Sequence, residues 1–152
     1  AQLRRNSKEA QGKKDDNQST PTPQTNTELI TGKNWKATAI TVNPAVVING
    51  TSVTDLYALM EGCEKDNFMT FLTSHTYLED EGATKCDTSA SQIISTGAWA
   101  FDSGETSLIL DPGTVNETTY SIISLTASTL KVSTVEFYNG VNYTEVFTYS
   151  KM

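Results

Sequence analysis

From Phe68 to the C-terminus, every apolar stretch of the chain is short, alternates with a period of two and ends in turn chemistry. Asp102-Ser103-Gly104-Glu105, Asp111-Pro112-Gly113 and Tyr138-Asn139-Gly140 reverse the backbone, because glycine and asparagine tolerate a positive φ and proline presets a negative one. Ser124-Leu125-Thr126-Ala127-Ser128 is a further short turn. Parallel strands need a crossover of about a dozen residues or more, usually a helix. None of these intervals has a helical pattern, so the chain is restricted to antiparallel neighbours.

The alternation predicts strands over Asn34–Asn43, Ala45–Ile48, Phe68–Thr73, Thr76–Asp80, Ile93–Asp102, Ser107–Leu110, Thr118–Leu125, Thr129–Phe137 and Asn142–Tyr149. Threonine supplies 20 of the 124 residues from Leu29 onward, which suits a half-buried pleated surface. One helix is predicted over Thr54–Met60, with Thr51 or Ser52 as N-cap and Leu56, Leu59 and Met60 on one face. Eight or nine short strands joined by tight turns make an all-β barrel or sandwich, and sequential hairpins without a long return connection favour an antiparallel up-and-down barrel.

The first 28 residues read differently. Their only apolar residues are Ala1, Leu3 and Ala10, too few to offset the entropy of ordering them, and Asn17–Thr27 is a Thr/Pro/Gln/Asn-rich linker. Residues 1–28 are therefore expected to be a disordered polar stem and residues 29–152 the folded domain. The net charge of −7 divides into +1 on the stem and −8 on the domain. A domain this acidic has no basic face for phosphates, which argues against nucleic-acid binding. No apolar run reaches the roughly 18 residues that a membrane helix needs.

Two tryptophans stand at the heads of strands, in Gly32-Lys33-Asn34-Trp35 and Gly97-Ala98-Trp99. A longer pattern joins them: Cys63-Glu64-Lys65-Asp66-Asn67, Phe71, Thr76-Tyr77, Gly82-Ala83-Thr84-Lys85-Cys86-Asp87, Gly97-Ala98-Trp99 and the strand Leu108-Ile109-Leu110. Over about residues 30–151 this resembles the bacterial lipocalin-like domain of Gram-negative envelope lipoproteins. The resemblance implies an eight-stranded barrel on a flexible, lipid-anchored stem, in the periplasm or at the cell surface. Gly12-Lys13-Lys14-Asp15-Asp16 looks like such a stem with Gly in place of the lipidated Cys, so residues before Lys13 are expected not to be native. The membrane would then be reached only through that anchor, and the domain is expected to be a monomer.

Cys63 and Cys86 are the only cysteines. If Ser74-His75 turns a hairpin between Phe68–Thr73 and Thr76–Asp80, the two thiols meet, and a disulfide is expected. His75, the only histidine, sits in that turn without a nucleophile signature beside it. Glu79, Asp80, Glu81 and Asp87 offer hard oxygen ligands but lack the spacing of a calcium loop, so a solvated acidic turn is expected and no metal. Glu136 and Glu145 lie on adjacent strands, where a glycosidase pair could be built, but alternation is expected to turn them outward. Tyr143, Glu145, Phe147 and Tyr149 nevertheless share one face of the last strand. The expected reading is a non-catalytic domain without cofactor that binds a small apolar ligand through Phe71, Tyr77, Trp99, Phe101, Tyr120 and Phe147. The alternative is a filled barrel that serves as a protein-interaction module.

Overall fold

The computed structural model describes residues 19–152. Residues 1–18 of the expected 1–28 stem, with the expected foreign origin of those before Lys13, lie outside the described residues. Order begins earlier than Leu29: Asn26–Ile30 form a short helix, α1, whose Thr25 and Glu28 cap one another's backbone amides reciprocally. The polar composition of the linker hides this helix, because its one fully buried residue is Ile30.

Nine strands follow: β1 (Asn34–Ile48), β2 (Thr51–Asp55), β3 (Phe68–Phe71), β4 (Thr76–Asp80), β5 (Ile93–Phe101), β6 (Ser107–Leu110), β7 (Thr118–Leu125), β8 (Thr129–Tyr138) and β9 (Val141–Lys151). From β3 to β9 each strand pairs antiparallel with the next, and β9 closes on β1 from Trp35↔Lys151 to Asn43↔Thr144. The lower end of β1 pairs β3, from Asn34↔Thr70 to Lys36↔Phe68. β1 and β3–β9 thus form a closed eight-stranded up-and-down barrel, and β2 is a flap folded back on the upper part of β1.

Two local expectations are corrected. Asn34–Asn43 and Ala45–Ile48 are one strand, because Pro44 falls where the β1–β2 register slips between Thr41 and Val46 and where the β9 ladder has ended. A proline without an N–H is tolerated in such an unpaired stretch. The helix expected over Thr54–Met60 is instead the end of β2 plus a single 3-10 turn, Tyr57–Leu59. Asn49 (φ 51°) and Gly50 (φ 81°) form a tight hairpin that places the expected caps, Thr51 and Ser52, in a strand. Asp55 starts the turn instead, its Oδ1 accepting from the Ala58 amide at 3.0 Å. A second short helix, α2 (Gly62–Lys65), carries Cys63.

The Ser74-His75 turn joins β3 to β4 as expected, with Phe71 opposite Tyr77. The two cysteines are bridged, with Cα atoms 5.2 Å apart, and the bond ties α2 to the β4–β5 loop.

The core lies toward one end of the barrel. Ile30, Trp35, Phe71, Trp99 and Leu130 are fully buried there, joined by Tyr77, Leu108 and Val132. α1 covers this base, with Asn26 Nδ2 donating to the Glu105 carbonyl at 3.4 Å and Thr31 bridging to Phe71. Trp35 anchors the cover, since its Nε1 donates to the Ile30 carbonyl at 2.8 Å. The other end holds the β1–β2 hairpin, α2, the β4–β5 loop and the β8–β9 turn.

Candidate functional site

Strand register decides what faces inward. Met69 and Phe71 pair with Glu79 and Tyr77, which pair in turn with Ser95 and Gly97. Trp99 and Phe101 continue that face and meet Leu110 and Leu108 on β6. Leu108 then meets Tyr120, Val132 meets Phe147, and Leu130 meets Tyr149. A period of two, carried around a closed ladder and reset at the register shifts after Ala37, Glu79 and Ile122, fixes the interior.

That interior is solid at the base and opens upward. A cavity of about 30 Å³ lies among Trp35, Phe71, Leu108, Tyr120, Leu130 and Tyr149. It has room for water but not for an organic ligand. Above it, Trp35, Met69 and Tyr149 also border a cavity of about 180 Å³ walled by Ala37, Ile40, Phe147 and Glu79. Met60, Glu64 and Asn67, from the segment that the disulfide ties down, border it as well. A third, of about 260 Å³, lies at the mouth between Val42, Val46, Glu136, Tyr143 and Glu145.

The six aromatics singled out in the sequence are divided by this arrangement. Phe71 and Tyr120 line the small basal cavity and Phe147 the middle one. Tyr77, Trp99 and Phe101 line none of the three and pack into the base instead. Trp99 takes the edges of Phe71 and Phe101, with ring centroids 5.7 and 5.4 Å away, and its Nε1 donates to the Leu72 carbonyl at 3.0 Å. Tyr77 donates its hydroxyl to Asp111 Oδ2 at 3.0 Å, while Asp111 Oδ1 accepts from the Ala98 amide. Burial, reinforced by Asp111, pushes the Tyr77 phenol up to about 12. Gly97 makes this bridge possible, since a Cβ there would stand 2.7 Å from the Tyr77 ring and on top of Asp111 Oδ1.

Trp35, Met69, Ile40, Tyr149 and Glu79 were missed as wall residues. The signal for Tyr149 was present, since it shares a face with Phe147. Met69 and Glu79 likewise share a face with Phe71 and Tyr77, whereas Trp35 and Ile40 needed the register of β1 against β3 and β9, which alternation within one strand does not supply.

The wall above the base is aromatic and acidic. Tyr120 meets the edge of Phe147 at 5.9 Å, and Phe147 stacks nearly parallel to Tyr149. Burial raises the Tyr149 phenol above its ordinary value, and among the described residues its hydroxyl has no hydrogen-bond partner. Glu79 Oε2 accepts from Ser95 Oγ at 3.1 Å. The expectation that Glu136 and Glu145 point outward is corrected. Glu145 opposes Val42 and Thr134, Glu136 opposes Tyr143, and both carboxylates border the mouth cavity. Phe147 and Tyr149 fix the inward face of β9, and Glu145 follows by alternation. It stays tolerable because it lies above the dry base. Burial, and then the charge of Glu136, raise its carboxyl above the ordinary range.

The remaining candidates are dispersed. Asp80 Oδ1 accepts from the Gly82 amide and Gln92, and Asp87 Oδ1 accepts from Ser89, so two of the four acidic side chains hold their own backbone and neighbours, while Glu79 faces the barrel. His75 lies against Trp99 at the base, its Nδ1 3.3 Å from the Trp99 carbonyl oxygen.

No curated protein sequence matches the chain. Among solved structures, a complex of bovine odorant-binding protein with a selenium-containing odorant is similar at 11% identity, with a TM-score of 0.44, over 89% of this chain and 77% of the other. The sequence model of the lipocalin-like domain matches residues 30–132, from the end of α1 into β8. That span takes in both tryptophans, the disulfide and the Tyr77–Gly97–Asp111 bridge, and the barrel closes around it: the chain belongs to the lipocalin-like domain family.

Proposed function

We propose that this domain is a non-catalytic binding protein of the cell envelope that holds one small, largely apolar ligand in the upper half of its barrel. The observation that carries the reading is the cavity of about 180 Å³ above a filled base. It is smaller than the roughly 300 Å³ at which pockets for drug-sized molecules begin, so the ligand is small. Phe147, Tyr149, Ile40 and Met69 would bury its apolar surface at about 25 cal/mol per Å². The Cys63–Cys86 bridge supports an oxidising compartment such as the periplasm. This reading also includes a lipid on the polar stem as the only membrane attachment, and a monomeric state.

Native mass spectrometry against a panel of small apolar compounds tests it, with Ala37→Phe as the variant that fills the cavity. A stoichiometric complex that Ala37→Phe weakens at least tenfold supports the reading. No complex with any compound, or one indifferent to Ala37→Phe, overturns it. A second reading, a filled barrel acting through its surface, draws on exposed Val47, Phe137 and Tyr138 at the two hairpin tips. It predicts no complex in that experiment.

A further inference from the structure

The charge around the upper barrel is of one sign. Glu79 and Glu64 border the middle cavity and Glu136 and Glu145 the mouth, and no Lys, Arg or His lines any of the three cavities. Three of the six lysines of the domain are engaged elsewhere: Lys33 donates to the Ala127 carbonyl at the base, Lys65 lies over Tyr57, and Lys85 donates to the Ala90 carbonyl. Among the described residues, Glu145 has neither an ion-pair partner nor a hydrogen-bond donor. Of the cavity carboxylates, Glu64 and Glu136 are exposed, whereas half-buried carboxylates without counter-charge, such as Glu145, are unfavourable in the empty domain. They become favourable when an occupant brings the missing cation.

The cavity offers a second, independent feature in the same place. The Tyr149 phenol borders the cavity without a partner, and its ring stacks with Phe147. An ammonium group is satisfied by carboxylate oxygens, a phenol oxygen and aromatic faces together. A carboxylate ligand could accept from the Tyr149 hydroxyl but would meet repulsion from Glu79, Glu136 and Glu145.

We infer that the occupant of the barrel is a small organic cation, an ammonium on an apolar or aromatic body, with its charge held by Glu79 and the Tyr149 hydroxyl and drawn in by Glu136 and Glu145. This rests on the reading of the upper barrel as a ligand cavity and adds the charge of the ligand to it. On this inference the same wall disfavours fatty acids and other anionic lipids as ligands.

The test compares three probes of nearly equal size: 2-phenylethylammonium, neutral 2-phenylethanol and the 3-phenylpropionate anion. Affinities are measured by calorimetry at low and high salt on the oxidised protein. The inference predicts that the amine binds at least tenfold tighter than the alcohol, that the anion does not bind, and that salt narrows the gap. Glu79→Gln and, separately, Glu145→Gln shrink the amine-to-alcohol ratio to less than about threefold, whereas Glu105→Gln at the base leaves it intact. Equal binding of amine and alcohol, or a preference indifferent to both glutamine variants, overturns the inference and leaves the cavity reading standing. Binding of the anion in preference to the amine overturns it as well. If none of the probes binds, both readings fall.

Discussion

Gly97→Ala probes how the fold's most specific local feature works. The new methyl would sit 2.7 Å from the Tyr77 ring, 2.9 Å from its hydroxyl, and on Asp111 Oδ1, so the Tyr77–Asp111 bridge must move. Overpacking of this kind costs about 1–3 kcal/mol. Displacing hydrogen bonds to a carboxylate adds about 1.5–3 kcal/mol, while replacing a strand glycine returns about 0.5–1 kcal/mol of backbone entropy. The net expectation is a loss of about 2–5 kcal/mol. Asp111→Ala removes the most crowded atom and the acceptor together, so Gly97→Ala made in that background should cost only about 1 kcal/mol, from the remaining Tyr77 contact. Urea unfolding of the wild type, both single variants and the double variant gives the coupling energy directly. A coupling of at least about 1 kcal/mol is predicted. Additive variants, or a Gly97→Ala as stable as the wild type, would refute the argument that Gly97 exists to admit the bridge.

The remaining expectations follow from the same contacts. Replacing both Cys63 and Cys86 by Ala opens a loop of about 24 residues, which removes about 3.4 kcal/mol in the chain-entropy model and lowers Tm by on the order of 10 °C; an unchanged melting curve would contradict it. Glu145→Gln should raise Tm at neutral pH. A carboxyl whose folded pKa is raised is most stabilising when protonated, so that contribution is lost as pH rises through the folded value. The gain must vanish below the ordinary carboxyl value of 4.5, and a gain that persists there would refute the burial of Glu145. Tyr77 should ionise near pH 12 in an absorbance titration, and Tyr77→Phe should remove that step and reduce the loss of stability between pH 10 and 12.

Much of the architecture was legible because two simple signals agree: turn residues mark where strands end, and alternation marks which face is buried. Those signals located five of the turns and predicted the Cys63–Cys86 pairing, since a hairpin at Ser74-His75 brings both ends together. They failed where a competing interaction decides the local structure. Pro44 looked like a strand end but sits in a bulge, where no partner needs its amide. Leu56, Leu59 and Met60 had helical spacing, but the Asn49-Gly50 hairpin claims the preceding residues for β2. Within the site, aromatic content singled out residues that belong to two different tasks. Trp99 and Phe101 fill the base, whereas Phe147 walls the cavity, and only the register around the closed barrel separates them. Glu145 was recognised as an awkward companion of Phe147, but its position above the dry base depends on how far β9 extends, which alternation does not encode.

The central claim is that the barrel is solid below and holds its ligand above. Intermolecular nuclear Overhauser effects from a bound small amine to the side chains of the domain test it most directly. The account predicts contacts to Ile40, Phe147 and Tyr149 and none to Trp99 or Phe101. Contacts to Trp99 and Phe101 without any to Phe147 would mean that the base opens to admit the ligand, and would contradict it.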